Sequence, residues 1–307
     1  MSKLCISLFG KFKVTSSSGG IVTPEARRAK ELFSYLLLYR DRLHEREKLA
    51  TMMWAEQSTT RAKQYLRQTL WQVQSGLPLA PGEEPLLLAN QERIGINPQA
   101  ELWLDVAEFD QVYALVERIP GSALQASQVE LMRASLPLYR GDLLEGCYED
   151  WCTFERERYL NRYLAVLDKL LVYCEAHQEY HAALAYGAQI LHYDRARERT
   201  HRSLMRLYYL AGDRTAALHQ YEACVTALAE ELDVAPAKST VSLYQQICAD
   251  QIAAEKHKVA APADHRTNTP AGDTLDQLSQ IQTTLSQLQV QVSTLIEFIA
   301  QAPAESS

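Results

Sequence analysis

The feature that most restricts this chain is an internal echo in its second half. Ala182-Ala183-Leu184 returns as Ala216-Ala217-Leu218, and at the same offset of 34 residues Tyr180 matches Arg214 and Ile190 matches Cys224. A period of that size is one pair of helices, which cannot bury its apolar face alone and must stack on a neighbour. The second copy keeps what such packing needs: Gly212-Asp213 at the turn, Ala217 inside the second helix, Tyr221 one turn later and Pro236 beyond the end. Apolar residues recur at helical spacing almost throughout from Asp105, so residues 105–250 are expected to form an all-α domain.

Residues 1–104 follow a different rhythm. Leu4, Ile6 and Leu8 alternate with polar neighbours, Gly10 interrupts, and Phe12 and Val14 resume, which predicts β-strands within residues 3–14. Pro24 stands where a first helical turn tolerates it, and Ala29, Leu32, Phe33 and Leu36 extend a helix over residues 25–39, with Arg27, Arg28 and Lys30 on its other side. A second helix over 45–54 (Leu49, Met52, Met53), a polar turn at Glu56-Gln57-Ser58 and a third helix over 59–75 make a helix-turn-helix. In the third, Ala62, Leu66, Leu70 and Val73 form the buried stripe and leave Arg61, Lys63, Gln64, Arg67, Gln68 and Trp71 outside it. Leu86–Leu88 and Arg93–Ile96 then flank Asn90-Gln91-Glu92 as a hairpin with a polar tip, placed where a wing follows a helix-turn-helix.

Charge divides at the same place. Residues 1–100 carry 14 Lys/Arg against 9 Asp/Glu, or +5, whereas the remainder carries 17 against 29, or −12. The local field of the docking face decides nucleic-acid binding, so a total of −7 leaves the N-terminal part as the place to look. The types on the third helix suit a major groove: arginine is bidentate to guanine, glutamine to adenine, and lysine or arginine neutralises phosphate. Arg61, Lys63, Gln64, Arg67 and Gln68 are therefore the expected recognition residues, against the plainer alternative of a solvated polar face. Arg27, Arg28 and Lys30 near a helix start, and Asn90, Gln91 and Arg93 on the wing, are candidates for phosphate or minor-groove contact. Trp71 is expected to pack against the wing rather than stack on sugar-phosphate.

Several chemistries are set aside. Six cysteines scattered without a Cys-x-x-Cys pair read as reduced core thiols, and Cys174, His177 and His181 fall around a helix–helix turn with no fourth ligand, so no metal is expected. No Gly-x-Ser-x-Gly elbow, paired catalytic carboxylates or Gly-x-x-x-x-Gly-Lys-Ser/Thr loop occurs; neither an enzyme nor a nucleotide cofactor is expected. No run approaches the roughly 20 apolar residues of a membrane span, and the start lacks an export signal, which makes a cytoplasmic location the expectation.

Residues 251–274 lose apolar periodicity and read as a linker. In 275–300, Leu278, Ile281, Leu285, Leu288, Val292, Leu295 and Ile299 step by alternating 3 and 4, a heptad seam that needs a partner helix. The partner is a second copy in a homo-oligomeric coiled coil or, alternatively, the chain's own helical domain.

Together these residues resemble a known family. Leu8-Phe9-Gly10-Lys11-Phe12, the run Arg27 to Leu36, Leu49 to Trp54 and Arg61-Ala62 to Leu70 resemble the OmpR-like winged helix-turn-helix of antibiotic regulatory protein (SARP) type activators. Leu138-Tyr139-Arg140-Gly141-Asp142-Leu143-Leu144-Glu145-Gly146, Trp151 and Glu155-Arg156-Glu157-Arg158 resemble the start of their bacterial transcriptional activator domain, which is tetratricopeptide-like. The resemblance covers residues 3–248. It implies a transcription regulator, most simply an activator, that binds double-stranded promoter DNA, contacts RNA polymerase and joins the nucleoid when bound. The alternative is a protein-interaction scaffold whose winged part no longer binds DNA specifically.

Overall fold

The computed structural model describes residues 4–16, 20, 24–77 and 85–251. The heptad positions Leu278 to Ile299, and all of the expected linker except Gln251, lie outside the described residues.

Alternation yields strands β1 (Leu4–Ser7) and β2 (Lys13–Ser16), paired antiparallel with Ile6 opposite Val14. A third strand, β6 (Leu102–Leu104), runs parallel to β1 on its other edge. Leu8 and Phe9 are buried but leave the strand, because their backbone N–H groups donate to the carboxylate of Asp105 instead of to a neighbouring strand.

Between the strands stand α1 (Arg27–Leu38), α2 (Arg46–Met53) and α3 (Thr59–Gly76), close to the expected spans. Pro24 falls ahead of α1 rather than in its first turn. β4 (Leu87–Ala89) and β5 (Arg93–Ile96) form the wing hairpin, with Leu87 opposite Ile96. A two-residue strand that the alternation pattern is too short to reveal, β3 (His44–Glu45), pairs with β5 and ties the wing to the start of α2.

The helical part comprises α4 (Asp105–Val116), α5 (Ala126–Ser135), the 27-residue α6 (Asp150–Ala176), α7 (Tyr180–Tyr193), α8 (Glu198–Leu210), α9 (Arg214–Leu232) and α10 (Lys238–Cys248). The 34-residue echo sets the starts of α7 and α9, and its matched positions Ala183, Ala217, Ile190 and Cys224 are all fully buried. At Gly187 a β-carbon would lie 2.4 Å from Leu204, so glycine lets α7 and α8 approach.

No linker separates the two parts. β6 runs straight into α4, and one apolar core continues from Leu4 to Leu207. The loop before α6 lies along Leu8–Gly10: Leu144 N–H donates to Leu8 (2.8 Å), Gly10 N–H to Asp142 (2.9 Å) and Glu145 N–H to Gly10 (2.9 Å). Gly10 holds φ +79°, which glycine adopts without strain. The Phe9 ring then reaches Phe109, Tyr139 and Tyr159, with centroids 4.9–5.6 Å apart. Arg156 donates to the carbonyls of Leu143, Leu144 and Cys147 and holds this loop on α6.

Asp105 accepts from Leu8, Phe9 and Val106 at 2.8–3.1 Å and is fully buried. Burial pushes its carboxyl up to about 6, against the pull of those three N–H groups. Because the folded value lies above the ordinary carboxylate value, this group favours folding most below about pH 4 and loses that contribution as pH rises through about 6. Asp105→Asn removes the titration and one acceptor, and is expected to cost about 1–3 kcal/mol near pH 7. In denaturant melts, the stability of the wild type relative to the variant is expected to fall between pH 4 and 6 and to level off above.

Candidate nucleic-acid interface

The apolar stripe of α3 seats it on the core: Ala62, Leu66, Leu70 and Val73 are at most 5% exposed, and Thr69 joins them. Arg61, Lys63, Gln64, Arg67 and Gln68 are all exposed. At 100° per residue, Gln64 and Gln68 point most directly away from the core, with Arg61 beside them, while Lys63 and Arg67 lie on the flank toward α2 and the wing.

That flank opens into a cleft of about 820 Å³ between α2, α3 and the hairpin. Lys63, Arg67, Asn90, Gln91 and Arg93 all line it, so the structure brings together residues read separately from the third helix and the wing. Arg46, which the sequence reading passed over, is there too. Its backbone N–H donates to Glu92 (2.8 Å) and its guanidinium to the Asn90 carbonyl (3.0 Å), which fastens the hairpin tip to α2. Burial and then the nearby charge of Arg67 lower the pKa of Arg46, a sign that the cations are crowded together. The signal for Arg46 was its position at the first residue of α2, opposite the hairpin.

The cleft is not purely basic. Glu45, Glu47 and Glu92 stand among Arg46, Lys63, Arg67 and Arg93, and Lys63 is 3.0 Å from Glu47. Both partners of that pair are half exposed, so it is worth little against a phosphate competitor. Asn90 is occupied by its own turn: its Oδ1 accepts from the N–H groups of Glu92 (2.9 Å) and Arg93 (2.7 Å), leaving Gln91 and Arg93 as the outward wing side chains.

Arg27, Arg28 and Lys30 do not line this cleft. Arg27 and Arg28 bond the nearly buried Glu31 at 2.7 and 2.9 Å, and Arg28 also bonds Glu149 at 2.7 Å, at the seam with α6. The hydrogen bond to Glu31 and its charge raise the pKa of Arg27. Tyr39 donates to Glu155 (2.7 Å) and Tyr35 meets Trp151 edge-on across the same seam.

The expectation for Trp71 is corrected. It is 67% exposed on the outer face of α3, because its position on the helix turns it away from both the core and the hairpin.

Elsewhere, Cys174 is buried beside Arg133 and Glu179, and the His177 ring stacks on Tyr173 at 3.9 Å. Among the described residues no group of three or more His, Cys, Asp or Glu gathers to hold a metal, and no helix is long and apolar enough to cross a membrane.

The helical part has a matching family. Residues 104–248 match the bacterial transcriptional activator domain. The chain carries a bacterial transcriptional activator domain. The Leu138–Gly146 segment, expected at the start of the domain, lies well inside the match and contributes the loop that runs along Leu8–Gly10. The match begins at Leu104 and does not extend over the winged part. Among solved structures, Mycobacterium tuberculosis EmbR, in complex with a low-affinity phosphopeptide, is similar in fold with a TM-score of 0.63. The identity is 21%, over 82% of this chain and 66% of that one, so the chain spans just under two thirds of the relative's length. None of the curated proteins matches the chain.

The two faces of α3 differ in what they support. Leu66→Ala is expected to cost about 2–5 kcal/mol through the cavity it leaves, whereas Trp71→Ala should stay within about 0.5 kcal/mol. Thermal or denaturant melts of the two variants check this; equal losses would mean that Trp71 is packed.

Proposed function

We propose that the chain is a sequence-specific transcriptional regulator, an activator, that reads duplex promoter DNA with α3 and the wing and contacts RNA polymerase through its activator domain. The observation that carries this reading is one exposed surface of α3 holding Arg61, Lys63, Gln64, Arg67 and Gln68 without an acid on the helix face, flanked by a hairpin bearing Gln91 and Arg93. The 18-residue helix is roughly 27 Å long at 1.5 Å per residue, and Arg61 to Gln68 occupy about 10 Å of it near its start, a stretch that can lie in a major groove. Arg61, Gln64 and Gln68 take base edges; Lys63, Arg67 and Arg93 take phosphate or guanine. Exposed Trp71 lies on the same face and stacks on sugar. Two copies joined through the heptad residues would engage a repeated site, with the second contact favoured by effective concentration.

The test is selection of bound fragments from genomic DNA by the full chain at physiological salt, repeated with an Arg61→Ala, Lys63→Ala, Arg67→Ala triple variant. Enriched promoter fragments sharing a repeated motif, lost in the variant, are expected; enrichment no better than background in both would leave the scaffold reading. Arg67→Ala alone should cost about 1–3 kcal/mol of specific binding if it reads a base, and each lost phosphate contact should flatten the salt dependence by about 0.9 in log–log slope. Glu47→Gln releases Lys63 and removes a carboxylate from the cleft, so duplex affinity should rise several-fold at low salt. Unchanged affinity in that variant would place Lys63 outside the contact surface.

A further inference from the structure

Three arginines of α8 gather in the part of the chain whose net charge is negative. Arg199, Arg202 and Arg206 recur with Ser203 at the steps of 3 and 4 residues that put side chains on one helix face. Ser239, Ser242, Leu243 and Gln246 repeat those steps on α10. The two stripes, with Glu175 near the end of α6, line one cleft of about 410 Å³ to which the winged part contributes no residue. α6, α8 and α10 are the first helices of successive pairs, which places the cleft on one side of the stack.

Packing does not call for these groups. α8 is seated by Leu204, Met205 and Leu207, all buried, and the arginines lie on its opposite face, with Arg199 and Arg206 more than half exposed. Carboxylates stand near all three, but loosely: Asp168 is 3.4 Å from Arg199, Glu198 3.8 Å from Arg202 and Glu175 4.0 Å from Arg206. The pairs of Glu31 with Arg27 and Arg28, by contrast, close to 2.7 and 2.9 Å. Glu198 is also committed elsewhere, since it accepts from the Ala237 N–H (2.8 Å) and from the Thr240 hydroxyl at the start of α10. Arg202 in turn donates to Thr240 (3.2 Å), which is fully buried, and this holds the middle guanidinium in place. Contacts as long as 3.4–4.0 Å balance charge but make poor hydrogen bonds, so the guanidinium forks keep donors to offer.

A guanidinium fork matches phosphate oxygens two at a time, and serine hydroxyls and the Gln246 amide add neutral donors. Arg199 to Arg206 span about 10 Å at 1.5 Å per residue, longer than a single phosphate group. Leu243 is the one apolar side chain among the lining residues, so an occupant with a large apolar or aromatic portion has little to lie against. We propose that this cleft binds a small oligophosphate, a ligand bearing two or more linked phosphate groups, through Arg199, Arg202 and Arg206. The site is separate from α3 and the wing, and the proposal does not depend on the DNA-binding reading.

The probe is inorganic pyrophosphate, titrated calorimetrically into the full chain at physiological salt without divalent metal, with inorganic phosphate and citrate as comparators. One saturable site is expected, holding pyrophosphate at least about tenfold more tightly than either comparator and raising the melting temperature. Arg199→Gln with Arg206→Gln, both at exposed positions, should weaken pyrophosphate at least about tenfold, because each fork gives charge-assisted hydrogen bonds. Ser242→Asp sets a carboxylate opposite the arginines on the exposed face of α10 and should have the same effect. The Arg61→Ala, Lys63→Ala, Arg67→Ala variant should bind pyrophosphate as the wild type does, and melts without ligand report that each variant is folded. Binding lost in that triple variant but kept in the Arg199/Arg206 double variant would assign the anion to α3 and overturn the proposal. Two wild-type results would overturn it as well: no saturable binding at millimolar pyrophosphate, or citrate bound as tightly as pyrophosphate. The wild-type selectivity is readable whether or not the variants fold.

Discussion

The carboxylate of Asp105 is the fastening on which the rest of the molecule depends. It receives the N–H groups of Leu8 and Phe9 from one part and of Val106 from the other, with all four residues buried. Buried backbone donors without acceptors are expensive, so the chain cannot open at this point cheaply. Everything nearby is arranged around the resulting turn: Phe9 is delivered into the aromatic cluster of the activator domain, and Gly10 bends the backbone into register with the loop at Asp142–Glu145.

The position of α3 follows from that anchoring. Leu66 and Val73 seat it on the shared core, and β3 and Arg46 hold the wing at its side, so a surface of long, mobile side chains is carried on a rigid base. Rigid placement of adaptable groups suits recognition, because the entropy of ordering is confined to the side chains themselves. The carboxylates in the cleft restrain the cations without neutralising them outright; four basic and three acidic side chains share that space.

Much of this was legible from residue order. The stripe Ala62, Leu66, Leu70, Val73 has one physical meaning at helical spacing, and the 34-residue echo between Tyr180 and Arg214 coincides with the starts of α7 and α9. What stayed hidden is of another kind. β3 has two residues and β6 three, too few to show alternation, and both exist because a distant strand supplies their partners. The roles of Arg28, Asn90 and Arg46 were equally out of reach: each is decided by what stands opposite, respectively Glu149, the N–H groups of Glu92 and Arg93, and the hairpin tip. Trp71 illustrates the same limit, since a large aromatic side chain suggests packing until the surrounding elements are in place.

The continuous core changes what counts as a folding unit. A fragment ending at Leu104 would keep the helix-turn-helix and the wing, yet it would lose the acceptor for Leu8 and Phe9 and leave the Phe9 ring facing water. The activator domain is in that sense the missing half of the winged part's interior. With one interior shared between them, the two halves are expected to melt together rather than as modules that can be separated by cutting where the strands give way to helices.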